Sequence, residues 1–276
     1  MTNILLNERV ITSFLSIASI ILVLITIILW LRLKREKTLN QKRDDISRAE
    51  ELLKTQRRFI SDAAHELRTP LTAIHGSLEV LMRGVWDDRE TASRLIQGIY
   101  RETTRLTRLT EQLLNLSRLN STEKPETERT DIGEFIGEFV ETARLIAGNR
   151  QILSEGERGL YADINRDSFK QILYNITDNA VQHTEENGTI SFRWEKKNDN
   201  ICIHIADNGS GIPKDSIPHI FEPFYRAEKS RARRRGGSGL GLAIVKNIVE
   251  AHGGTITVES EEGKGTIFTL CIPAVL

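Results

Sequence analysis

Four short runs hold the side chains that could do chemistry. In FISDAAHELRTPLTAIHGSLEVL (59–81), His65 stands beside Glu66, with Thr69 four residues on and so on the same helix face as His65. A neutral imidazole carries a nucleophilic nitrogen, and an adjacent carboxylate can hold the other ring N–H. In NITDNAVQHT (175–184), Asn175 and Asn179 are four apart, so their amide oxygens share one face. Two such oxygens suit Mg²⁺ beside a triphosphate, because magnesium prefers oxygen ligands. DNGSGIP (207–213) follows the strand-like ICIHIA and sets Asp207 at the mouth of a sheet. GGSGLGLAIVKNIVEAHGG (236–254) puts glycines ahead of an apolar-periodic helix whose free N–H groups can meet phosphate oxygens.

Several familiar sites are excluded. The dinucleotide fingerprint needs Gly or Ala at 244, where Ile244 stands; Gly263-Lys264 lacks the glycine at 258 and the Ser or Thr at 265 of a Walker loop. No HRD or DFG triplet occurs. FEPFYRAEKSRARRRGG (221–237) sets aromatics before Arg226, Lys229, Arg231, Arg233, Arg234 and Arg235. Most of these belong on a solvated loop, while one or two over a triphosphate would offset its charge. With net charge zero and no broader basic face, direct nucleic-acid binding is not expected. Cys202 and Cys271 have no CxxC spacing and alternate with apolar residues, which predicts buried, reduced thiols rather than a disulfide framework or zinc site. His75, His183, His204, His219 and His252 lack the frame around His65 and read as ordinary residues.

The elements that must position these groups follow from periodicity. Ile60, Ala64, Leu67, Leu71, Ile74, Leu78, Leu81 and Val85 recur alternately four and three apart, an a/d seam for helix packing. On that seam His65 and Glu66 fall at b and c, off the stripe and open to solvent. Pro70 has no amide hydrogen for the Glu66 carbonyl and is expected to bend the helix. RGVWDD (83–88) breaks the pattern with a turn and an N-cap. A second stripe runs through Ile96, Ile99, Leu106, Leu109, Leu113 and Leu116. Two single-stripe helices bury little alone, so pairing with a second copy into a four-helix bundle is expected. NSTEKPETERT (120–130) reads as a linker. Helices over 131–148, 166–183 and 239–252, with strands near 151–154, 159–164, 189–195, 200–206, 255–260 and 265–272, predict a two-layer α/β domain.

Ahead of these lies an uncharged run, Val10 to Leu31, followed by Arg32, Lys34, Arg35 and Lys37. It is long enough to cross a bilayer, and the trailing basic cluster puts the rest of the chain in the cytoplasm. About ten residues precede it, too few for a folded ligand-binding domain.

The ordered set of motifs resembles the bacterial sensor histidine kinase family over residues 56–276. HELRTPL is similar to its H box, NITDN to its N box, DNGSGIP to its G1 box, FEPFYR to its F box and GGSGLGL to its G2 box, with GKGT (263–266) similar to a further glycine motif. The resemblance implies a multi-domain chain. A short tail (1–10) leads into one transmembrane helix (11–33) and a helical connector (34–55). A hairpin (56–122) forming a dimeric four-helix bundle follows, then a linker (123–130) and an ATP-binding domain of the Bergerat, or GHKL, type (131–276). It implies that His65 is phosphorylated from Mg·ATP, with Glu66 as base or orienting acid, and that the phosphoryl group passes to an aspartate on a response regulator receiver domain. Thr69 completes an HExxT pattern that supports dephosphorylating that partner. Asn179 would hold Mg²⁺ with Asn175 nearby, and Asp207 would read the adenine amino group. Gly209, Gly211, Gly237, Gly239, Leu240, Gly241 and Thr266 would shape the pocket, with Tyr225 and Arg226 near the nucleotide. Gln182 and His183 stand where relatives often carry Lys and Tyr, which places His183 at the nucleotide too. Two other expectations share the site: a protein acting chiefly as phosphatase of the regulator, or a truncated or degenerate relative that binds ATP without turnover. So short an outer segment implies sensing within the membrane or through a membrane partner protein.

Overall fold

The computed structural model describes residues 2–84, 88–119, 126–227 and 238–275; for residues 2–29, and for scattered others to Leu52 and from Ser117 to Leu119, the backbone alone is described. The chain divides into two compact units, residues 1–61 and 62–276. The first is a stretch of helix α1, which runs from Thr2 to Met82. Among the described residues no helix is long and apolar enough to cross a membrane. The expected span, 11–33, falls almost wholly on residues whose side chains lie outside that description.

In the second unit, α1 continues to Met82 and is followed by α2, Arg89–Leu119. Asp88 starts α2 as the sequence predicts: its carboxylate accepts from the backbone N–H groups of Glu90 and Thr91 and from the Thr91 hydroxyl. Those bonds satisfy donors orphaned by the helix start and hold the Asp88 carboxyl below its ordinary pKa. The seam reading needs correcting at one point. Leu71 and Leu78 are 54% and 44% exposed, whereas Pro70 and Leu81 are buried and Glu66 is half-buried. The side of α1 turned into its own hairpin is thus the next stripe round, through Glu66, Pro70, Ile74 and Leu81. The seam is thus split: Leu67, Ile74 and Leu81 turn toward the hairpin, while Ile60, Ala64, Leu71 and Leu78 are left outward. Glu66 is accordingly only partly open to solvent, while His65 is exposed. α1 runs through Pro70 as one helix; Val85 lies outside the described residues.

The remainder is two-layered. Its sheet has the order β2-β4-β5-β7-β6, from strands Gln151–Gly156 (β2), Thr189–Lys197 (β4), Asn200–Asp207 (β5), Thr255–Glu261 (β6) and Gly265–Pro273 (β7). Only β2 and β4 pair in parallel; the other neighbours are antiparallel. Helices α3 (Ile132–Ala147), α4 (Arg166–His183) and α5 (Gly241–Ala251) supply the second layer. Alternation along each strand sends one set of side chains inward. Ile190 and Phe192, Ile201, Ile203 and Ile205, and Phe268 and Leu270 are therefore buried with Phe139, Phe169, Ile172, Ile176 and Ile248 from the helices.

Two findings depart from the sequence reading. Glu128–Asp131 forms a strand, β1, pairing antiparallel with β3 (Tyr161–Ile164). The polar run ERTD gives no alternation to see; pairing creates the strand, and Thr130 is its one buried residue. Residues 120–125 of the expected linker lie outside the described residues. Second, Cys202 and Cys271 are joined in a disulfide rather than standing as reduced thiols. The antiparallel register places them directly opposite on β5 and β7, with Cα atoms 4.1 Å apart. Sequence spacing of 69 residues gives no hint of that neighbourhood.

Candidate functional site

Asp207 ends β5 and lies half-buried where the sheet opens. Its carboxylate accepts from the Gly209 N–H at 2.9 Å. Burial pushes the carboxyl up from its ordinary value, and the Gly209 N–H, His183 and the Thr266 backbone offset that rise only in part. A desolvated acceptor with one oxygen already fixed is suited to reading a donor on a flat ring.

The loop after Asp207 is sewn to three neighbours. Ser210 N–H donates to the His183 carbonyl at the end of α4, and Gly263 N–H donates to the Ser210 carbonyl. Ser260 on β6 is a hub: its hydroxyl donates to the Gly265 carbonyl at 2.8 Å, accepts from Ile212 N–H at 2.9 Å and lies 3.0 Å from Thr266 Oγ1. Glycine is required where the backbones meet. Gly211 has φ +69°, and a Cβ there would sit 2.1 Å from the Glu261 carbonyl oxygen; at Gly265, φ is +105° and a Cβ would fall 2.0 Å from the Asp207 carbonyl oxygen. The DNGSGIP and GKGT runs therefore pack directly against each other.

Beside this loop, α4 packs against α5. Asn175 and Asn179 are both half-buried on α4, and Asn175 Nδ2 donates to the Gly241 carbonyl at 3.3 Å. With its nitrogen engaged, Asn175 keeps its carbonyl oxygen clear of that bond, and Asn179 follows one turn on. An all-oxygen amide pair of this kind fits Mg²⁺. Leu240 is fully buried beneath this corner and Gly239 has φ +73°. Phe224, φ +64°, donates its N–H to the Gly239 carbonyl, which brings the FEPFYR run against the start of the GGSGLGL segment. Tyr225 and Arg226 are half-buried there, and the Tyr225 ring lies 5.4 Å from that of His219. Gly237 and the basic residues from Lys229 to Arg235 lie outside the described residues. His183 is exposed at the end of α4. The structure thus joins Asn175 to Gly241, Asp207 to Gly209 and, across the β5–β7 ladder, to Thr266, and Phe224, just before Tyr225 and Arg226, to Gly239.

His65, Glu66 and Thr69 belong to the hairpin instead. Among the described residues nothing hydrogen-bonds the His65 imidazole; the Thr69 hydroxyl donates to the His65 carbonyl at 3.2 Å. Glu66 Oε2 lies 3.4 Å from Arg105 Nη2 on α2, and Glu102 is 3.9 Å from the same guanidinium. The two parts touch along α2: Ser238 Oγ donates to Gln112 Oε1 at 2.7 Å, and Asn115 Nδ2 donates to Gln171 at 3.4 Å.

Sequence reasoning missed Ser260, Arg105 and Gln112. For Ser260 the signal was strand parity, since it shares the less exposed side of β6 with Ile256 and Val258. For Arg105 and Gln112 it was the helix face they share with Leu109 and Leu116, the two most buried positions of α2.

Comparison with known proteins covers both parts. Residues 55–122 match the His Kinase A (phospho-acceptor) domain, and residues 164–276 match the histidine kinase-, DNA gyrase B- and HSP90-like ATPase family. Sensor histidine kinase WalK of Bacillus subtilis is 36% identical over 234 residues, which is 83% of this chain and 38% of WalK. The chain thus spans well under half the length of that relative. Histidine kinase AdeS of Acinetobacter baumannii superposes with a TM-score of 0.62 at 27% identity, over 76% of this chain and 97% of that one. Histidine kinase ThkA, solved in complex with response regulator protein TrrA, superposes with a TM-score of 0.61 at 28% identity, over 77% of this chain and 60% of that one.

Proposed function

The chain belongs to the sensor histidine kinases, and from that premise we propose that it is a membrane-anchored homodimeric kinase that phosphorylates His65 and passes the phosphoryl group to a response regulator. The observation that carries this reading is an exposed imidazole on the hairpin, without a hydrogen bond among the described residues, together with a glycine-rich loop region that presents Asp207 and the Asn175–Asn179 pair. ATP would lie with its adenine amino group toward Asp207 and its phosphates toward the start of α5. Asn179, with Asn175 nearby, would hold Mg²⁺, whose charge would offset that of the phosphates. The unprotonated His65 nitrogen attacks the γ-phosphorus, the bond to the β,γ-bridging oxygen breaks, and ADP leaves. The remaining ring proton passes to the Glu66 carboxylate. Rate enhancement comes mainly from positioning and charge neutralisation. Anchoring is supported by the uncharged run Val10–Leu31 and the basic cluster behind it, set in a continuous helix. A partner receiver domain is supported by the ThkA–TrrA complex.

The test is transfer. The full chain in detergent, given ATP labelled at the γ-phosphate, should take up acid-labile label and lose it to an added cognate receiver domain. Binding of ATP with no label on protein would instead favour a non-turning-over relative.

A further inference from the structure

Glu66 is expected to take a proton from His65, yet its side chain is drawn the other way. Successive helix residues point about 100° apart. His65 faces outward while Glu66 turns into the hairpin, where Arg105 Nη2 meets its Oε2 at 3.4 Å. Both side chains are mostly sheltered, at 24% and 30% exposure, so solvent does not fully screen the pair. The same guanidinium is shared with Glu102, 3.9 Å away and one turn earlier on α2. Arg105 therefore has a second acid to pair with when Glu66 leaves.

We propose that Arg105 is a positioning residue that holds the Glu66 carboxylate in a withdrawn place and releases it to His65 when the phosphoryl step proceeds. This rests on the His65 reading above. Paired with Arg105, Glu66 is engaged by a cation and turned into the hairpin. With the guanidinium passed to Glu102, the carboxylate is free to swing toward the ring N–H of His65 and accept its proton as the P–N bond forms. Nothing in this exchange touches ATP, so it acts on the chemical step and leaves nucleotide binding alone.

The experiment compares single-turnover phosphorylation of the full chain with its Arg105→Gln, Arg105→Lys and Glu66→Gln forms, and with the Arg105→Gln/Glu66→Gln pair. Arg105→Gln should raise the phosphorylation rate at saturating ATP about two- to five-fold, the value of a partly exposed ion pair, with the ATP concentration for half-maximal rate unchanged. Arg105→Lys keeps the cation and should stay near the wild-type rate. In the Glu66→Gln background the Arg105→Gln effect should vanish. An equal or slower rate in Arg105→Gln, or the same acceleration with Glu66 already replaced, would overturn the proposal. A wild-type chain that takes no label would overturn the His65 reading itself, a separate and distinguishable failure.

Discussion

Asp207 joins stability to function most directly. Burial raises its carboxyl above the ordinary value of 3.8, so the fold favours the protonated form. That contribution is present in full below the unfolded value and is lost as pH rises through the raised one. At neutral pH the nucleotide-free protein therefore carries the cost of a half-buried carboxylate, which a donor from adenine would relieve. Asp207→Asn keeps the acceptor for Gly209 N–H and removes the charge. Melting curves of the full chain at pH 7 should show this variant at least as stable as wild type without nucleotide. Added ATP should stabilise it less, with about 1.5–3 kcal/mol of binding lost. In wild type the ATP-induced shift should shrink as pH falls through the raised value, and in Asp207→Asn it should be flat. A variant that binds ATP like wild type would remove Asp207 from adenine recognition.

At the scale of elements, the hairpin leaves an apolar strip that its own two helices do not cover. Leu71 and Leu78 on α1, with Ile96 and Leu114 on α2, are between 44% and 58% exposed. A second copy is the expected cover, since helices with matching stripes pack into four-helix bundles. Leu71→Asp with Leu78→Asp should leave each chain folded but convert the full-length protein in detergent from dimer to monomer in sedimentation velocity, at about 2 kcal/mol or more per central contact. A persisting dimer would place the interface elsewhere. Much of this scale was legible in the sequence, because long periodic stretches report their own burial. The helical periodicity of α1 and α2 and the helix and strand positions of the main sheet and its helices follow from spacing. What was not legible depends on partners distant along the chain. β1 exists because β3 lies beside it, the Cys202–Cys271 bond because β5 and β7 run in register, and the inward turn of Glu66 because α2 brings Arg105. For the pocket, motif order marked Asp207 and the glycines, whereas Ser260 sits in ESEE with no motif around it.

For the whole molecule, the account requires that the pocket of the α/β part serve a histidine on the hairpin. The contacts of Ser238 with Gln112 and Asn115 with Gln171 hold the α/β part to α2 in the state described here. The exchange of Glu66 between Arg105 and His65 belongs to the turnover step. All of this depends on His65 being the acceptor, and the helix provides its own control. His75 lies ten residues on, about 80° round the helix, and is 77% exposed beside Glu79. It offers an imidazole and a carboxylate with none of the surrounding frame. The decisive measurement is label from γ-labelled ATP on His65→Gln and His75→Gln forms of the full chain. His65→Gln should take none and His75→Gln should label like wild type; acid-labile phosphate surviving on His65→Gln would rule out His65 as the acceptor.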